Sequence, residues 1–361
     1  MIEYRKEAGK SKQIVSTILI FCIFSSVLVF LLTSLIFYSI PLVDRILIML
    51  YSTFHIVLSD LLQIARGNSQ NFKFSMAAII NSVIYMCLTI IFTKVILMGL
   101  SGILLSLIAG EIIASFYLIL SMRMDKVFSY KSFSVKVLKK MLQYSWPLVP
   151  NSLSLWVMSL SDRLIVTTFL GLEQNAVYTV ANKIPSLLST VQGVFISAWQ
   201  ENASIAVTDK DSDEYYSHMF EAFVCVLTGI LCCLIGSSPV LFDVIIRGDY
   251  GEAKPQMAIL FGGMFFSAVS SFLGGIYVAH KHTKSVGMTT IVAAGINLLI
   301  NICFVLKIGL YAASISTLVS YIILTLYRMV DIKKFQKIKY YYKKYLICVL
   351  TIGVMSYVYL I

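Results

Sequence analysis

The sequence predicts an all-α polytopic membrane protein, organised as a two-lobed helical bundle with about 11 transmembrane helices. Of its 361 residues, 58% are apolar and 13% are charged, and the mean hydropathy is +0.86. A typical soluble domain has about 25% charged residues. Several apolar runs reach the ~20 residues that cross a ~30 Å hydrocarbon core. This composition excludes a soluble enzyme, a nucleic-acid-binding module and a disordered chain, so no nucleic acid partner is expected.

Eleven apolar runs are the predicted spans. The connections between them are short, so we expect no extramembrane domain. The first run is too long for the core of a signal peptide and is expected to remain as a helix. The runs cover about residues 14–38, 42–64, 74–97, 100–122, 146–170, 176–200, 218–242, 256–279, 285–306, 309–330 and 344–361.

The distribution of basic residues predicts the orientation in the membrane. The chain has 29 lysines and arginines against 18 acidic residues. If the N-terminus lies inside and the spans alternate, 22 of these cations fall in inside segments, four in outside segments and three within spans. Cytoplasmic loops carry an excess of Lys and Arg. The bias therefore predicts a cytoplasmic N-terminus and, after eleven spans, an outside C-terminus.

The motifs of cofactor chemistry are missing from the sequence. All seven cysteines fall within apolar runs and no CxxC pair exists, which predicts buried thiols without disulfides or a metal site. The acidic run 209–213 resembles a calcium loop, but Glu214 stands where that loop needs Gly and Phe220 where it needs Glu. There is no phosphate-binding glycine motif and no nucleophile elbow. We therefore expect no cofactor and no ATP hydrolysis.

An internal repeat supports the two lobes. Pro41 and Pro255 each open a predicted span, 214 residues apart, and residues 98–102 resemble residues 308–312 at an offset of 210. Both copies start outside, so the repeats are parallel, as in the halves of some transporters, and a substrate path between the lobes is expected. The predicted organisation is an incomplete N-terminal lobe (1–122), a basic cytoplasmic linker (123–145), a six-helix C-terminal lobe (146–330) and a basic loop with a terminal helix (331–361).

Five segments resemble bacterial polysaccharide flippases of the Wzx type. They are Tyr144–Pro150, Ser161–Ile165, Phe169–Gly171, Tyr178–Ile184 and Gly309–Ala313, the last running on to Tyr321 and Arg328. These flippases belong to a superfamily that also contains lipid II flippases and multidrug and toxin extrusion transporters. The resemblance implies two six-helix lobes around a central cavity. The predicted linker has only four spans before it, so two N-terminal helices of the family pattern are absent from the prediction.

The resemblance also implies a function. Such proteins move an undecaprenyl-pyrophosphate-linked oligosaccharide from the inner to the outer leaflet of the bacterial cell membrane by alternating access. The products are polysaccharides such as O-antigen, lipopolysaccharide or capsule. The implied partners are the lipid-linked oligosaccharide, membrane lipids and other membrane proteins of polysaccharide assembly.

Ionisable residues at membrane depth are costly and point to function. Arg163 and Lys183 both lie about 10 Å below the predicted outer surface, on neighbouring antiparallel spans. With Asp162 they carry a net charge of +1, which predicts binding of the pyrophosphate, and Asn182 is a candidate for sugar hydroxyls. A structural alternative is that Asp162 pairs with Lys183 while Arg163 extends its charge to the interface.

Four further charges in the first lobe are weaker candidates. Arg45, beside Asp44, lies one turn from the outer face and could contact substrate or anchor the interface. Asp60 and Arg66 lie near the inner end of the same span, where Arg66 could meet a lipid phosphate. Glu111 is the most isolated charge; unpaired, it would be protonated. Glu111 and Asp60 are the candidates for ion coupling, with a neutral interhelical hydrogen bond as the alternative for Glu111.

Three other functions fit parts of the pattern. A drug exporter of the same superfamily would bind cations and therefore needs an acidic cavity, which Arg163 and Lys183 oppose. A polysaccharide polymerase or glycosyltransferase, the only enzymatic alternative, would need a large outer loop or a cytosolic domain. A non-functional remnant would explain the short first lobe. The sequence favours the flippase and predicts that the protein is not an enzyme.

Overall fold

The computed structural model describes residues 8–37, 39–124, 128–246, 248 and 250–360. These residues form α-helices with short connections and no β-strand, which confirms the all-α class. Arg5, Lys6, Lys126 and Arg247, which contribute to the predicted orientation, lie outside the described residues. The helices are α1 (Ala8–Ile36), α2 (Leu42–Gly67), α3 (Asn71–Ile90), α4 (Gly99–Ser121), α5 (Val135–Ser145), α6 (Leu148–Leu170), α7 (Leu172–Ala206), α8 (Ser212–Ile245), α9 (Ala253–Ala279), α10 (Thr283–Ile308), α11 (Tyr311–Asp331) and α12 (Tyr342–Leu360).

Ten helical stretches in the described chain are long and apolar enough to cross a membrane. The polytopic class is therefore confirmed, but the number differs from the eleven predicted. The predicted span 176–200 is helical within α7, yet it is not among the ten. The reason is composition: Lys183, Gln192 and Glu201 interrupt the apolar residues of that helix.

The chain divides into two compact units, Met1–Leu142 and Gln143–Ile361. In the N-terminal unit, α2 packs against α1, α3 and α4. The contact between α3 and α4 is close at Gly110, where an added Cβ would lie 2.6 Å from Asn81 Oδ1. Lys73 Nζ donates a hydrogen bond to Ser121 O at 2.7 Å and so satisfies a carbonyl at the end of α4.

The basic segment after α4 is packed against the N-terminal unit. The backbone N–H of Ser129 donates to Ser16 Oγ at 3.0 Å, and that of Ser134 donates to Thr17 Oγ1 at 3.3 Å. These bonds attach the segment to α1. The boundary between the two units falls inside α5.

In the C-terminal unit, α9 is the central helix and packs against α7, α11 and α12. Trp199 of α7 stacks on Phe272 of α9 at 4.2 Å, and its Nε1 donates to Phe272 O at 2.9 Å. The ring approaches so closely that a Cβ on Gly275 would lie 2.7 Å from Trp199 Cδ1. Large buried aromatic residues thus fix the interior of this unit.

The repeat is visible in the backbone of two matched turns. Ser69 after α2 and Lys281 after α9 both have positive φ, 59° and 62°, at an offset of 212. Gly99 and Gly309 have φ of 59° and 58° at an offset of 210, as the sequence alignment expects. The proline pairing is shifted, because α2 begins directly after Pro41 whereas α9 begins at Ala253, before Pro255. Proline is tolerated in a first turn, since its missing N–H needs no helical partner there.

Candidate functional site

Asp162 lies at the centre of a buried polar network in the C-terminal unit. It is 3% exposed, and three neutral groups from three other helices donate to its carboxylate. Tyr178 Oη donates to Oδ2 at 3.1 Å, Thr317 Oγ1 donates to Oδ2 at 2.6 Å, and Asn301 Nδ2 donates to Oδ1 at 2.8 Å. Helices α7, α11 and α10 therefore converge on this one side chain of α6.

A second set of polar contacts continues the network. Ser161 Oγ donates to Asn297 Oδ1 at 3.3 Å, and Asn297 Nδ2 donates to Ser316 Oγ at 3.2 Å. Asn297 and Asn301 are one helical turn apart on α10, so both face the same neighbours. Their amides are fully buried and serve interhelical hydrogen bonds.

The two predicted phosphate-binding cations lie outside this network. Arg163 and Lys183 are both exposed on the C-terminal unit. The ion pair between Asp162 and Lys183, the structural alternative, is not formed, and Asp162 makes no contact that would orient either cation. The geometry of a helix explains this, because successive side chains point about 100° apart and burial of Asp162 turns Arg163 outward. Asn182 is half-buried, and its Nδ2 donates to Tyr178 O at 2.9 Å.

Arg328 is a buried cation whose role the sequence did not reveal. It is 4% exposed and lies in the last turn of α11. Its Nη1 donates to Ser270 O at 2.7 Å, its Nη2 to Thr290 Oγ1 at 2.9 Å, and its Nε to Thr289 Oγ1 at 3.2 Å. Val286 O accepts a longer bond from Nη2, at 3.4 Å. The guanidinium is therefore held by neutral oxygens of α9 and α10.

The sequence predicted Arg328 as an inside loop charge that helps to orient the chain. A signal for its burial was nevertheless present. Ser316, Ser320, Leu324 and Arg328 follow one another at four-residue intervals, and all four are buried on one face of α11. Spacing of this kind places residues on the same side of a helix.

Glu111 is the buried charge of the N-terminal unit. Its Oε1 is 2.8 Å from His55 Nδ1 of α2. The prediction that Glu111 is an isolated charge is therefore wrong. Its Oε2 is buried and has no hydrogen-bond partner in the described part of the chain. The His55 side chain is 62% exposed, whereas that of Glu111 is 4% exposed. The pair thus joins an accessible imidazole to a buried carboxyl group that has one unused oxygen.

The other candidates lie along α2 and are half-buried. Arg45 follows Asp44, whose Oδ1 accepts a hydrogen bond from Ser101 Oγ at 2.6 Å. Asp60 has the Cys22 thiol as a neighbour.

Arg66 occupies the last turn of α2, where the helix dipole favours a cation. At 1.5 Å per residue, Arg45 and Arg66 are about 30 Å apart along the helix. One phosphate cannot contact both. In the described residues, no group of three or more His, Cys, Asp or Glu side chains is placed to hold a metal ion.

The fold is that of known membrane transporters. A MATE structure in complex with MaL6 superposes with a TM-score of 0.78 at 13% identity, covering 91% of this chain and 81% of that one. An outward-facing multidrug resistance MATE transporter of the MOP superfamily gives 0.76 at 15% identity, covering 91% and 81%. A MOP superfamily transporter from Pyrococcus furiosus gives 0.74 at 14% identity, covering 90% and 84%. The class of protein is therefore an all-α polytopic membrane protein with the MATE fold.

Residues 2–200, more than half of the chain, match the family described as polysaccharide biosynthesis protein, and the chain belongs to that family. The resemblance found in the sequence is thus confirmed for family and fold. An uncharacterized membrane protein of Methanocaldococcus jannaschii is 24% identical over 233 residues. That match covers 62% of this chain and 45% of the relative, so the chain spans less than half of that protein's length.

Proposed function

We propose that the protein moves undecaprenyl-pyrophosphate-linked oligosaccharide repeat units across the bacterial cytoplasmic membrane, by alternating access, for the assembly of polysaccharides such as O-antigen or capsule. One joint observation carries the proposal: a chain of a polysaccharide biosynthesis family has the fold of MATE and MOP transporters. The charge bias of the loops supports a cytoplasmic N-terminus. The remaining partners would be membrane lipids and the other membrane proteins of polysaccharide assembly.

The electrostatics of the C-terminal unit support an anionic substrate. Asp162 accepts hydrogen bonds from neutral donors and forms no ion pair with Arg163 or Lys183, and the three residues together keep a net charge of +1. Both cations are exposed, and the described residues offer them no ion pair. Arg binds phosphate through a planar fork and Lys as a point charge, so together they suit a diphosphate. Asn182 would contact sugar hydroxyls.

Neither alternative class gains support from a specific contact. A cation exporter needs accessible acidic groups, whereas the carboxylate of Asp162 is buried and accepts three hydrogen bonds from neutral groups. A polymerase or glycosyltransferase needs an extramembrane domain, and the described connections between helices are short.

The proposed ion-coupling residue is Glu111. Its exposed partner His55 can relay a proton, and the unpartnered Oε2 can hold that proton inside the unit. A protonated carboxyl group is neutral, which removes the cost of a buried charge. Asp60, with a thiol as its neighbour, is a second candidate. Coupling of this kind would link transport to a proton gradient.

The test is polysaccharide export in a bacterial strain that lacks its own repeat-unit flippase and keeps the other assembly proteins. Arg163→Ala and Lys183→Ala should each lower export at least tenfold at equal protein level in the membrane, because each loses charge-assisted phosphate contacts. Lys183→Glu should abolish export, and Arg163→Lys should retain part of it. Lys307→Ala is the matched control, since Lys307 is an exposed cation at the end of α10. Wild-type export by both alanine variants would refute the binding role.

A further inference from the structure

The connection between α11 and α12 forms a strap, defined as residues 335–341, across the start of α8. Gln336 Nε2 and the backbone N–H of Lys337 both donate to Asp213, the latter at 3.1 Å. The backbone N–H of Lys339 donates to Ser217 Oγ at 2.9 Å. The sequence predicted a basic loop here, but this segment is packed and fixed in position.

Burial alternates along the strap. Gln336, Ile338 and Tyr340 are buried, whereas Lys337, Lys339 and Tyr341 are exposed. In an extended segment, successive side chains point to opposite sides. The Tyr340 hydroxyl donates to Met329 O at 3.0 Å, and burial raises the pKa of this tyrosine above its ordinary value. The buried side chains therefore anchor the strap and turn Lys337, Lys339 and Tyr341 to one common side.

These outward side chains line a cavity of about 550 Å³. Lys333 joins them from the end of α11, and the start of α8 supplies the opposite wall. The cavity is lined by Asp213, Glu214, Ser217, His218, Lys333, Lys337, Ile338, Lys339 and Tyr341. Three lysines thus face two carboxylates and one histidine.

The two carboxylates of the cavity contact groups other than the three lysines. Asp213 accepts the bonds that fix the strap, and Glu214 lies 3.5 Å from His218 Nε2. Lys333 Nζ donates only to a neutral group, the Tyr342 hydroxyl, at 3.1 Å. None of the three lysines forms an ion pair with an acidic residue in the described chain. Three ammonium groups around one cavity, without anionic partners from the protein, suit an external anion.

We propose that this cavity binds the phosphate group of an anionic membrane lipid. Phosphate accepts the hydrogen bonds that several ammonium groups donate. The lipid is favoured over a soluble phosphate by position, because the cavity lies beside the start of α8 and the end of the stretch 311–334, and its strap leads directly into α12, and all three stretches are apolar enough to span the membrane. Tyr341 and Tyr342 also favour a position at the membrane–water interface, because tyrosine is enriched there. The proposal does not depend on the transported substrate.

The test uses the full-length protein in an uncharged detergent, titrated with dioctanoyl phosphatidylglycerol, with bound lipid counted by native mass spectrometry. Dioctanoyl phosphatidylcholine, with the same phosphate but no net charge, should bind at least tenfold more weakly. The double change Lys337→Gln with Lys339→Gln should weaken phosphatidylglycerol binding about 25-fold, or about fivefold per lysine. These variants should fold, because the strap is held by the backbone N–H groups of both residues and not by their side chains.

Two further variants sharpen the test. Lys343→Gln removes the same charge from the same basic run, but Lys343 does not line the cavity, so binding should change less than about twofold. Glu214→Gln removes a negative charge from the lining and should strengthen binding several-fold. If Lys343→Gln weakened lipid binding as much as the double change at Lys337 and Lys339 does, the cavity would not be the lipid site. Equal binding of phosphatidylglycerol and phosphatidylcholine would refute it as well.

A competition arm separates the two sources of phosphate. Glycerol 3-phosphate carries the phosphate without the acyl chains and should fail to displace the lipid at matched concentrations. If it binds as tightly, and with the same dependence on Lys337 and Lys339, the lipid assignment is wrong and the cavity is a site for a soluble phosphate.

Discussion

The repeated helices α2–α4 and α9–α11 share their turn geometry but bury opposite charges. In the N-terminal copy, α4 buries the carboxyl group of Glu111, which has one partner, His55, and one unpartnered oxygen. In the C-terminal copy, α11 buries the guanidinium of Arg328, which donates to four neutral oxygens. The same fold segment thus holds one incompletely satisfied charge and one saturated charge.

This difference separates a structural role from a functional one. A saturated buried charge fixes the helices around it, because removal of one partner leaves the others without their bonds. A half-satisfied carboxyl group stabilises little and can exchange a proton at low cost. We therefore expect Arg328 to support the integrity of the C-terminal unit, whereas Glu111 remains the proposed residue for ion coupling.

The two copies also differ in how deeply they are packed. In the most apolar stretch of each helix, 22% of the residues are buried in α2 and 72% in α9. Helix α9 is surrounded by α7, α8, α11 and α12, whereas α2 contacts α1, α3 and α4. We therefore expect the C-terminal copy to be the more stable of the two.

An all-or-none result is expected from thiol labelling of the two matched turns. In a cysteine-free background, Ser69→Cys and Lys281→Cys should both be shielded from an impermeant reagent in intact cells, because parallel repeats place equivalent turns on the same side. Both should react after permeabilisation. Gly251→Cys should react in intact cells and is the positive control. Labelling of only one of the two turns would show that the copies are inverted relative to each other.

A large loss of stability is expected from Arg328→Ala. The change removes all the donors of the guanidinium and leaves a buried gap between α9, α10 and α11, at a cost of about 3 kcal/mol or more. Thermal unfolding of the purified protein, together with its level in the membrane, measures this. Arg163→Ala, an exposed arginine of the same unit, should change stability by less than about 0.5 kcal/mol. If the two variants were equally stable, the buried Arg328 would contribute no more to stability than the exposed Arg163.

The smallest effect on stability is expected from Glu111→Gln. Gln retains a partner for His55, and one interhelical bond in a membrane protein contributes about 0.6 kcal/mol on average. The free energy of unfolding should therefore change by less than about 1 kcal/mol. The dependence of export on the proton gradient should disappear. Export with an unchanged gradient dependence would exclude Glu111 as the coupling residue.

The fold class and the helix positions could be predicted because they depend on local properties. Helix α10 covers 283–308 against a predicted 285–306, and α12 covers 342–360 against a predicted 344–361. Apolar runs of membrane length must be helical, since lipid offers no partner for backbone groups. The repeat was visible in matched sequence segments, and in the structure Gly99 and Gly309 of those segments both have a positive φ, which glycine adopts readily.

The partners of the buried charges could not be predicted, because they depend on which helices meet and in what rotation. Asp162 is bonded by residues 16, 139 and 155 positions away in the chain, none of them the predicted Lys183. Glu111 meets His55 from 56 positions away. Hydropathy identifies the helices that enter the bilayer, but it does not encode the rotation of each helix about its axis. Close packing sets that rotation, and with it the choice between a buried Asp162 and an exposed Arg163 on adjacent positions of α6.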